Sequence, residues 1–478
     1  MIPLLSARFF VLLGVAVLLF HLLPHSTRKP YLLFLSYGYY ATWGLGFAAL
    51  LLAVSGVAFV AGLQIERAGR VKPGTGSGWF WGSVALLLGE LAAFKYALPL
   101  AEQLGYHGTL VALAVPVGVS YYVFRLLSYV IDVRLGRVVV EDDFVAFALY
   151  AAFFPQILSG PIQRAGSFLR QVKALGAVDA EQIASGLRLM LFGLFEKLVV
   201  ADHLSIVVNN VFDHADKSSG VAFALGAYCF IFQLYADFSG LTDIALGIGR
   251  LFGIEGPQNF NNPFYATNVQ EFWRRWHMSL TSWLTDYLFT PLNIALRSAG
   301  KPGLVVAILV NMIAIGVWHG ARWTFVTFGV LNGIFLVVSV LTLRERIQFF
   351  RKRESLSRLR SILGPLLTFH LMVLAFIFFR AASLHAAFHY LTHLVPAHWA
   401  PGSAGGLRRL GLMDQLGIIG IGSIPLMELA HWARPRGLLR RALDWSPVWL
   451  RWAVCYTAVV MVVVLGQTEA QQFIYAQF

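Results

Sequence analysis

The sequence predicts an all-α polytopic membrane protein with about 10–13 membrane-embedded helices. Three observations carry this expectation. Of 478 residues, 58% are hydrophobic and 13% charged, where a soluble protein carries roughly a quarter charged residues. Apolar stretches approaching the ~20 residues that cross a bilayer recur along the whole chain. The formal charge of +13 is gathered between them, and basic loops mark the cytoplasmic side of a membrane protein.

The apolar runs are taken in order. Residues 9–23 form the first; Arg8 precedes it and it leads into "HLLPHSTRKP" without a small-residue cleavage site, so it reads as an uncleaved span. Residues 31–63 fit one long helix or two. The runs 79–98, 110–130, 221–253, 304–318, 323–343, 362–379 and 452–465 follow. The basic clusters fall at 25–29, 66–72, 163–173, 344–360 and 434–441. They set topology and meet anionic lipid. Charge divided among many short loops does not suit a nucleic acid. Cys229 and Cys455 both sit in apolar runs and read as small core residues. The polar insertions 163–182, 254–283, 344–361 and 381–412 are too short to fold alone and no repeat is evident, so the chain reads as one polytopic domain, 1–478. In the last insertion His385, His389 and His393 recur at a helical interval, with His398 beyond Pro396. An interfacial amphipathic helix with histidines on its polar face accounts for this spacing without a metal.

Ionisable groups inside apolar spans are expensive, and each needs a reason. The run 232–253 holds Gln233, Tyr235, Asp237, Ser239, Thr242, Asp243 and Arg250. Asp243 and Arg250, seven apart, share a helical face. Such groups either join helices to one another or line a wet cavity. Residues 117–133 carry Ser120, Arg125, Ser128 and Asp132; residues 192–204 carry Glu196, Lys197 and Asp202. "FFPQILSGPIQR" (153–164) breaks a span with two prolines and a glycine, which is tolerated at membrane depth only where protein or water satisfies the backbone.

Two histidines stand out. In "NFNNPFYATNVQEFWRRWHMSL" (259–280), Asn268 and Glu271 have the spacing of a capping box. A helix is expected from about Val269, with Trp273, Trp276 and His277 on neighbouring positions and Arg274 and Arg275 on another side. The pattern alone describes an interfacial helix as well as a functional one. His319 closes an apolar run, with Trp318, Arg322 and Trp323 beside it. It is either a satisfied polar group or a proton acceptor suited to neutral pH.

The words "FPQILSGPIQR" (154–164), "YADFSGLTDIALGIGRLFGI" (235–254), the segment from 259 to 292 and "GVWHGARWTFVTFGVLNG" (316–333) occur in an order that resembles the membrane-bound O-acyltransferase family. The closer similarity is to its bacterial alginate O-acetyltransferase-like branch. Fainter echoes are the 117–133 segment, "FIFFRA" (376–381) and the tail "FIYAQF" (473–478). Two positions depart: Arg125 stands near an expected glutamine, and Ala476 where an aromatic is usual. The resemblance implies a helical fold around a central funnel, in a bacterial inner membrane. It implies that an acyl group leaves a cytoplasmic thioester donor, with acetyl-CoA the expected one, and reaches a hydroxyl at or approaching the outer face. His319 matches the family's essential histidine and His277 the second. His319 is the expected base; His277 either orients the acceptor or donates to the oxyanion. Arg274, Arg275, Trp273, Trp276, Trp318, Asp237, Tyr235 and Gln233 are the candidates for contacting donor or acceptor, the arginines through donor phosphates. No bound cofactor or metal is implied. The expected partners are membrane lipid, the acyl-CoA donor, and a periplasmic acetyltransferase or polysaccharide-export protein; no nucleic acid is among them. D-alanyl transfer to a cell-wall polymer is the rival within the class. A polytopic transporter or an export scaffold is the rival outside it.

Overall fold

The computed structural model describes residues 3–71, 76–97, 100–101, 115–213, 220–351, 354–394, 414–438, 441–442 and 445–467. The tail motif with Ala476 and His398 lie outside the described residues. Among the described residues every regular element is helical, and eight helices are long and apolar enough to cross a membrane. The protein is therefore all-α and multi-pass. Shorter helices add to these eight: Ala7–Leu22 forms from the first apolar run, and Val119–Arg134 and Phe144–Ala152 are buried along nearly their whole length. The 31–63 stretch resolves as two helices, His25–Ala41 and Leu45–Val71, parted at Gly44. Gln415–Ala433 was not anticipated, because Pro425, Glu428 and His431 interrupt its apolar run.

The chain forms two compact units. One comprises Met1–Met190 with Thr242–Pro257, the other Leu191–Leu241 with Gln258–Phe478. The 32-residue helix Gly220–Leu251 gives its first part to the second unit and its end to the first.

In the first unit the broken segment after Phe144–Ala152 is buried and non-helical. Its carbonyls need donors, and Arg125 supplies them from the helix Val119–Arg134. The fully buried guanidinium donates to Tyr150 O at 3.3 Å, Gln156 Oε1 at 3.0 Å and Pro161 O at 3.1 Å. The Tyr150 hydroxyl donates in turn to Arg125 O at 2.9 Å. The departure at Arg125 thus serves the scaffold. Gly118 starts this helix at φ +75°, and a Cβ there would lie 2.2 Å from Ile157 O, so glycine is required both by conformation and by space. Arg250 reaches Ser185 Oγ at 3.5 Å, a helix-joining contact of the kind the sequence allowed.

In the second unit Gly300–His319 and Trp323–Leu341 pack closely. A Cβ on Gly316 would meet Phe325 O at 2.2 Å and one on Gly329 would meet Met312 O at 2.6 Å. Small residues are what let two membrane helices approach this far, and the approach fixes where His319 emerges. The histidine-bearing helix forms as expected, over Leu384–His393, capped by Ser383 Oγ accepting from Ala386 N at 3.1 Å. The His389 and His393 rings stack at 4.0 Å.

Replacing Arg125 by leucine would leave several buried carbonyls without donors, at about 1–3 kcal/mol for each group stranded. Arg125→Leu is expected to lower the thermal unfolding midpoint of the detergent-purified protein by several degrees; Arg125→Gln, which keeps a donor, should recover part of that loss.

Candidate active site

The site is built from an irregular stretch laid against regular helices, all within the second unit. Asn268 Oδ1 accepts from the Glu271 N–H at 3.0 Å and starts a helix at Val269, as expected. The reciprocal arm differs from the usual box: Glu271 Oε2 accepts from the N–H and hydroxyl of Thr267, at 2.8 and 2.7 Å, rather than from the Asn268 backbone.

The expected helix through His277 does not form. It ends at Trp273, and a new one begins at Met278. Between them the backbone bonds to the preceding extended segment instead: Asn261 N donates to Arg275 O at 2.9 Å and Met278 N to Asn259 O at 2.8 Å. Those groups are therefore unavailable for helical bonds. His277 sits in the left-handed region at φ 43°, ψ 53°. That conformation costs of order 1–3 kcal/mol outside glycine and collects at functional sites.

The interfacial reading of this segment is overturned. Trp273, Trp276 and His277 are all buried, His277 to 1% exposure. Trp276 stacks on Phe272 at 5.4 Å and packs on Tyr235, Phe260 and Phe376. The two arginines separate. Arg275 pairs with Glu271 at 2.5 Å and reaches the carbonyls of Asn261 and Asn262 at 3.4 Å, so it stitches the segment together. Arg274 is exposed.

Trp318 joins the two histidines. Its ring centroid lies 5.6 Å from that of His277 and 4.9 Å from that of His319. His319, at 4% exposure, faces protein rather than acyl chains. Its other ring neighbours are Phe379 at 4.8 Å, Phe325 at 6.1 Å and Phe328 at 6.4 Å. Trp273 packs on Phe328 at 6.2 Å and so belongs to the same aromatic shell. The expected surround is corrected in part: Arg322 and Trp323 are exposed, and Phe325 and Phe379 take their place. His277 Nδ1 lies 3.0 Å from Asn259 Oδ1, and its ring meets Phe238 edge-on at 4.6 Å.

Asp237 is paired with a lysine. A π-helical turn over Phe195–Ala201 puts Lys197 Nζ 2.7 Å from Asp202 Oδ1 and 2.8 Å from Asp237 Oδ1, all three side chains buried. Gly240 permits this turn to approach; a Cβ there would lie 2.6 Å from Gly193 O. The adjacent Glu196 accepts from Ser239 Oγ at 3.1 Å and pairs with His431 Nε2 at 2.5 Å. Tyr235 connects this cluster to the histidine shell, packing on His431 at 5.1 Å and on Trp276 at 5.9 Å. Gln233 is buried on the same helix.

Sequence reasoning missed Asn259 and His431 as site residues. Asn259 was visible only as the start of a motif. The three-residue step from Glu428 to His431 in an otherwise apolar run was a usable signal for the second. Among the described residues no group of three or more His, Cys, Asp or Glu side chains could hold a metal ion.

Buried imidazoles in a dry aromatic shell of a multi-pass bundle can accept protons where water is scarce, and residues 108–384 match the model of the membrane-bound O-acyltransferase family. The protein is thus an acyltransferase that works in a lipid environment on an acyl donor. The chain belongs to the membrane-bound O-acyltransferase family. It is similar to a probable alginate O-acetylase, AlgI, of Azotobacter vinelandii, at 32% identity over 79% of this chain and 74% of the relative. It is similar to a peptidoglycan O-acetyltransferase of Helicobacter pylori, at 29% identity over 81% and 78%. It is also similar to a teichoic acid D-alanyltransferase of Streptococcus thermophilus, at 31% identity over 55% and 67%.

Lys197 lies between two buried carboxylates, and removing one member of such a set leaves uncompensated charge worth about 3–5 kcal/mol. Lys197→Met is expected to abolish or sharply reduce the yield of folded protein on size exclusion, whereas adding Asp202→Asn and Asp237→Asn to it should restore most of that yield.

Proposed function

We propose that this protein takes an acetyl group from a cytoplasmic thioester, acetyl-CoA, and passes it across a bacterial inner membrane for O-acetylation of an exported polysaccharide of the alginate kind. The observation that carries the reading is His319, held inside the protein at a helix end and joined through Trp318 to His277. An imidazole in that setting is a suitable base for a hydroxyl, which is a poor nucleophile until its proton is taken. His319 accepts the proton of the attacking hydroxyl as its oxygen bonds to the thioester carbonyl carbon. The carbon–sulfur bond then breaks, and the proton returns to the departing thiolate. A thioester needs no further activation. The aromatic shell excludes water and so disfavours hydrolysis.

Arg274 is the better candidate for donor phosphates, because it is exposed while Arg275 is committed to Glu271. The acetyl group goes to a periplasmic transferase partner, a reading supported by polar insertions too short to fold as a domain that could grip a long glycan. The similarity to AlgI over most of the chain favours acetyl over D-alanyl transfer, for which the matched share is smaller.

Two measurements test this. His319→Ala, once shown to insert and express normally, should lower acetyl ester on the exported polymer by about 10²–10⁴-fold, the range of a lost general base; unchanged acetylation would remove the base role. With purified protein, Arg274→Ala should raise the apparent KM for acetyl-CoA severalfold at constant kcat, and an unaltered KM would place Arg274 outside the donor site.

A further inference from the structure

The hydrogen-bond pattern around Asn259 decides which nitrogen of His277 carries the proton. Asn259 Oδ1 receives the Ser279 backbone N–H at 3.2 Å and the Ser279 hydroxyl at 2.9 Å. A backbone N–H can only donate, so the atom it meets is the amide oxygen and not the amide nitrogen. The same oxygen lies 3.0 Å from His277 Nδ1. Nδ1 must therefore present a hydrogen to it. The backbone pairing of Asn259 with Met278 and of Asn261 with Arg275 holds the two segments in register, so the contact is built into the chain path. Ser279 and Asn259 are buried along with the ring.

Burial also favours the neutral ring. Burial pushes the His277 imidazole down to about 3. Phe238 and Trp318, which pack on it, and Asn259, which bonds to it, carry no charge. The titratable groups on the elements packed around it are His319, which also packs on Trp318, the Glu271–Arg275 pair, and Asp237, next to Phe238 and paired with Lys197. A neutral imidazole has one N–H, and here it is spent on Asn259. Nε2 keeps a lone pair.

From this geometry we infer that Asn259 is a positioning residue, fixing His277 as a hydrogen-bond acceptor at Nε2 toward an O–H or N–H of the acyl acceptor, not as a donor to the oxyanion. The inference rests on the reading of His277 as a functional histidine and goes beyond it: of the two roles the sequence leaves open, orienting the acceptor or stabilising the oxyanion, it selects the first. No proton is transferred in this contact; that of the reacting hydroxyl still goes to His319.

The test uses the full-length protein in detergent, with acetyl-CoA as donor and release of the free thiol in the presence of acceptor as readout. His277→Asn removes the ring while tolerating the left-handed backbone. Asn259→Ala should lower kcat by about 10–100-fold, the range for partners that orient a functional imidazole, with the donor KM changed by less than about 3-fold. The double variant Asn259→Ala/His277→Asn should be no worse than His277→Asn alone, since residues acting as one unit are not additive. Asn259→Asp keeps the acceptor oxygen and the fold but adds a charge that favours the imidazolium. It raises the His277 pKa from about 3, so the variant should keep its kcat within about 3-fold of wild type at pH 8 and lose activity as pH falls through the new value. Full activity of His277→Asn would sink the reading of His277 itself. An impaired His277→Asn combined with a multiplicatively worse double variant, or a folded Asn259→Asp variant whose kcat at pH 8 falls about 10-fold or more, would overturn the role of Asn259 alone. Should Asn259→Ala fail to fold, the kcat of Asn259→Asp at pH 8 still decides.

Discussion

In hydrocarbon no water stands ready to satisfy a polar group, so each interruption of a helix must bring its own hydrogen-bond partner. That constraint runs through this protein. The broken segment after Phe144–Ala152 is held by the Arg125 guanidinium. The π-helical turn at Phe195–Ala201 carries Lys197 between two carboxylates. The irregular stretch around His277 is tied down by Asn259 and by the Glu271–Arg275 pair. Polar side chains that look misplaced in the apolar sequence are those that find partners inside the protein where the helices are interrupted.

The same constraint explains why the chemistry sits where it does. A straight membrane helix offers its side chains to neighbours or to lipid, and its backbone is fully spent. A helix that stops inside the protein presents a side chain at a point where several elements converge. His319 ends one helix and His277 begins another. Close glycine-mediated approach of Gly300–His319 to Trp323–Leu341 and the rings of Trp318, Phe325 and Phe379 then leave His319 little freedom to move. The strained backbone at His277 persists because the surrounding bonds over-determine it.

The second buried cluster, Glu196 with Ser239 and His431, gives the family assignment a structural setting beyond the matched segment. His431 lies past residue 384, where the family match ends, yet Tyr235 packs on both His431 and Trp276. A C-terminal helix is thereby tied into the histidine shell through a hydrogen bond and a ring contact. Asp237, which its place in a motif offers as a substrate contact, pairs with Lys197.

By itself the sequence determined what depends on composition and local pattern: a multi-pass helical protein, most of its spans, the Asn268 cap, the family words, and the two histidines worth attention. Hydropathy is summed over many residues and survives local error, which is why these were legible. Where a helix stops, and which polar group answers which, depends on partners far apart in the chain. The helical interval in "FWRRWH" suggested an interfacial helix through His277; pairing with Asn259 and Asn261 ended that helix and turned its tryptophans inward. Arg274 and Arg275 are adjacent and alike in sequence, and only Glu271 and the carbonyls of Asn261 and Asn262 made one structural while the other stayed exposed. The protonated nitrogen of His277 was likewise a tertiary matter, since it follows from one amide oxygen shared with Ser279 across a backbone pairing that no local rule encodes.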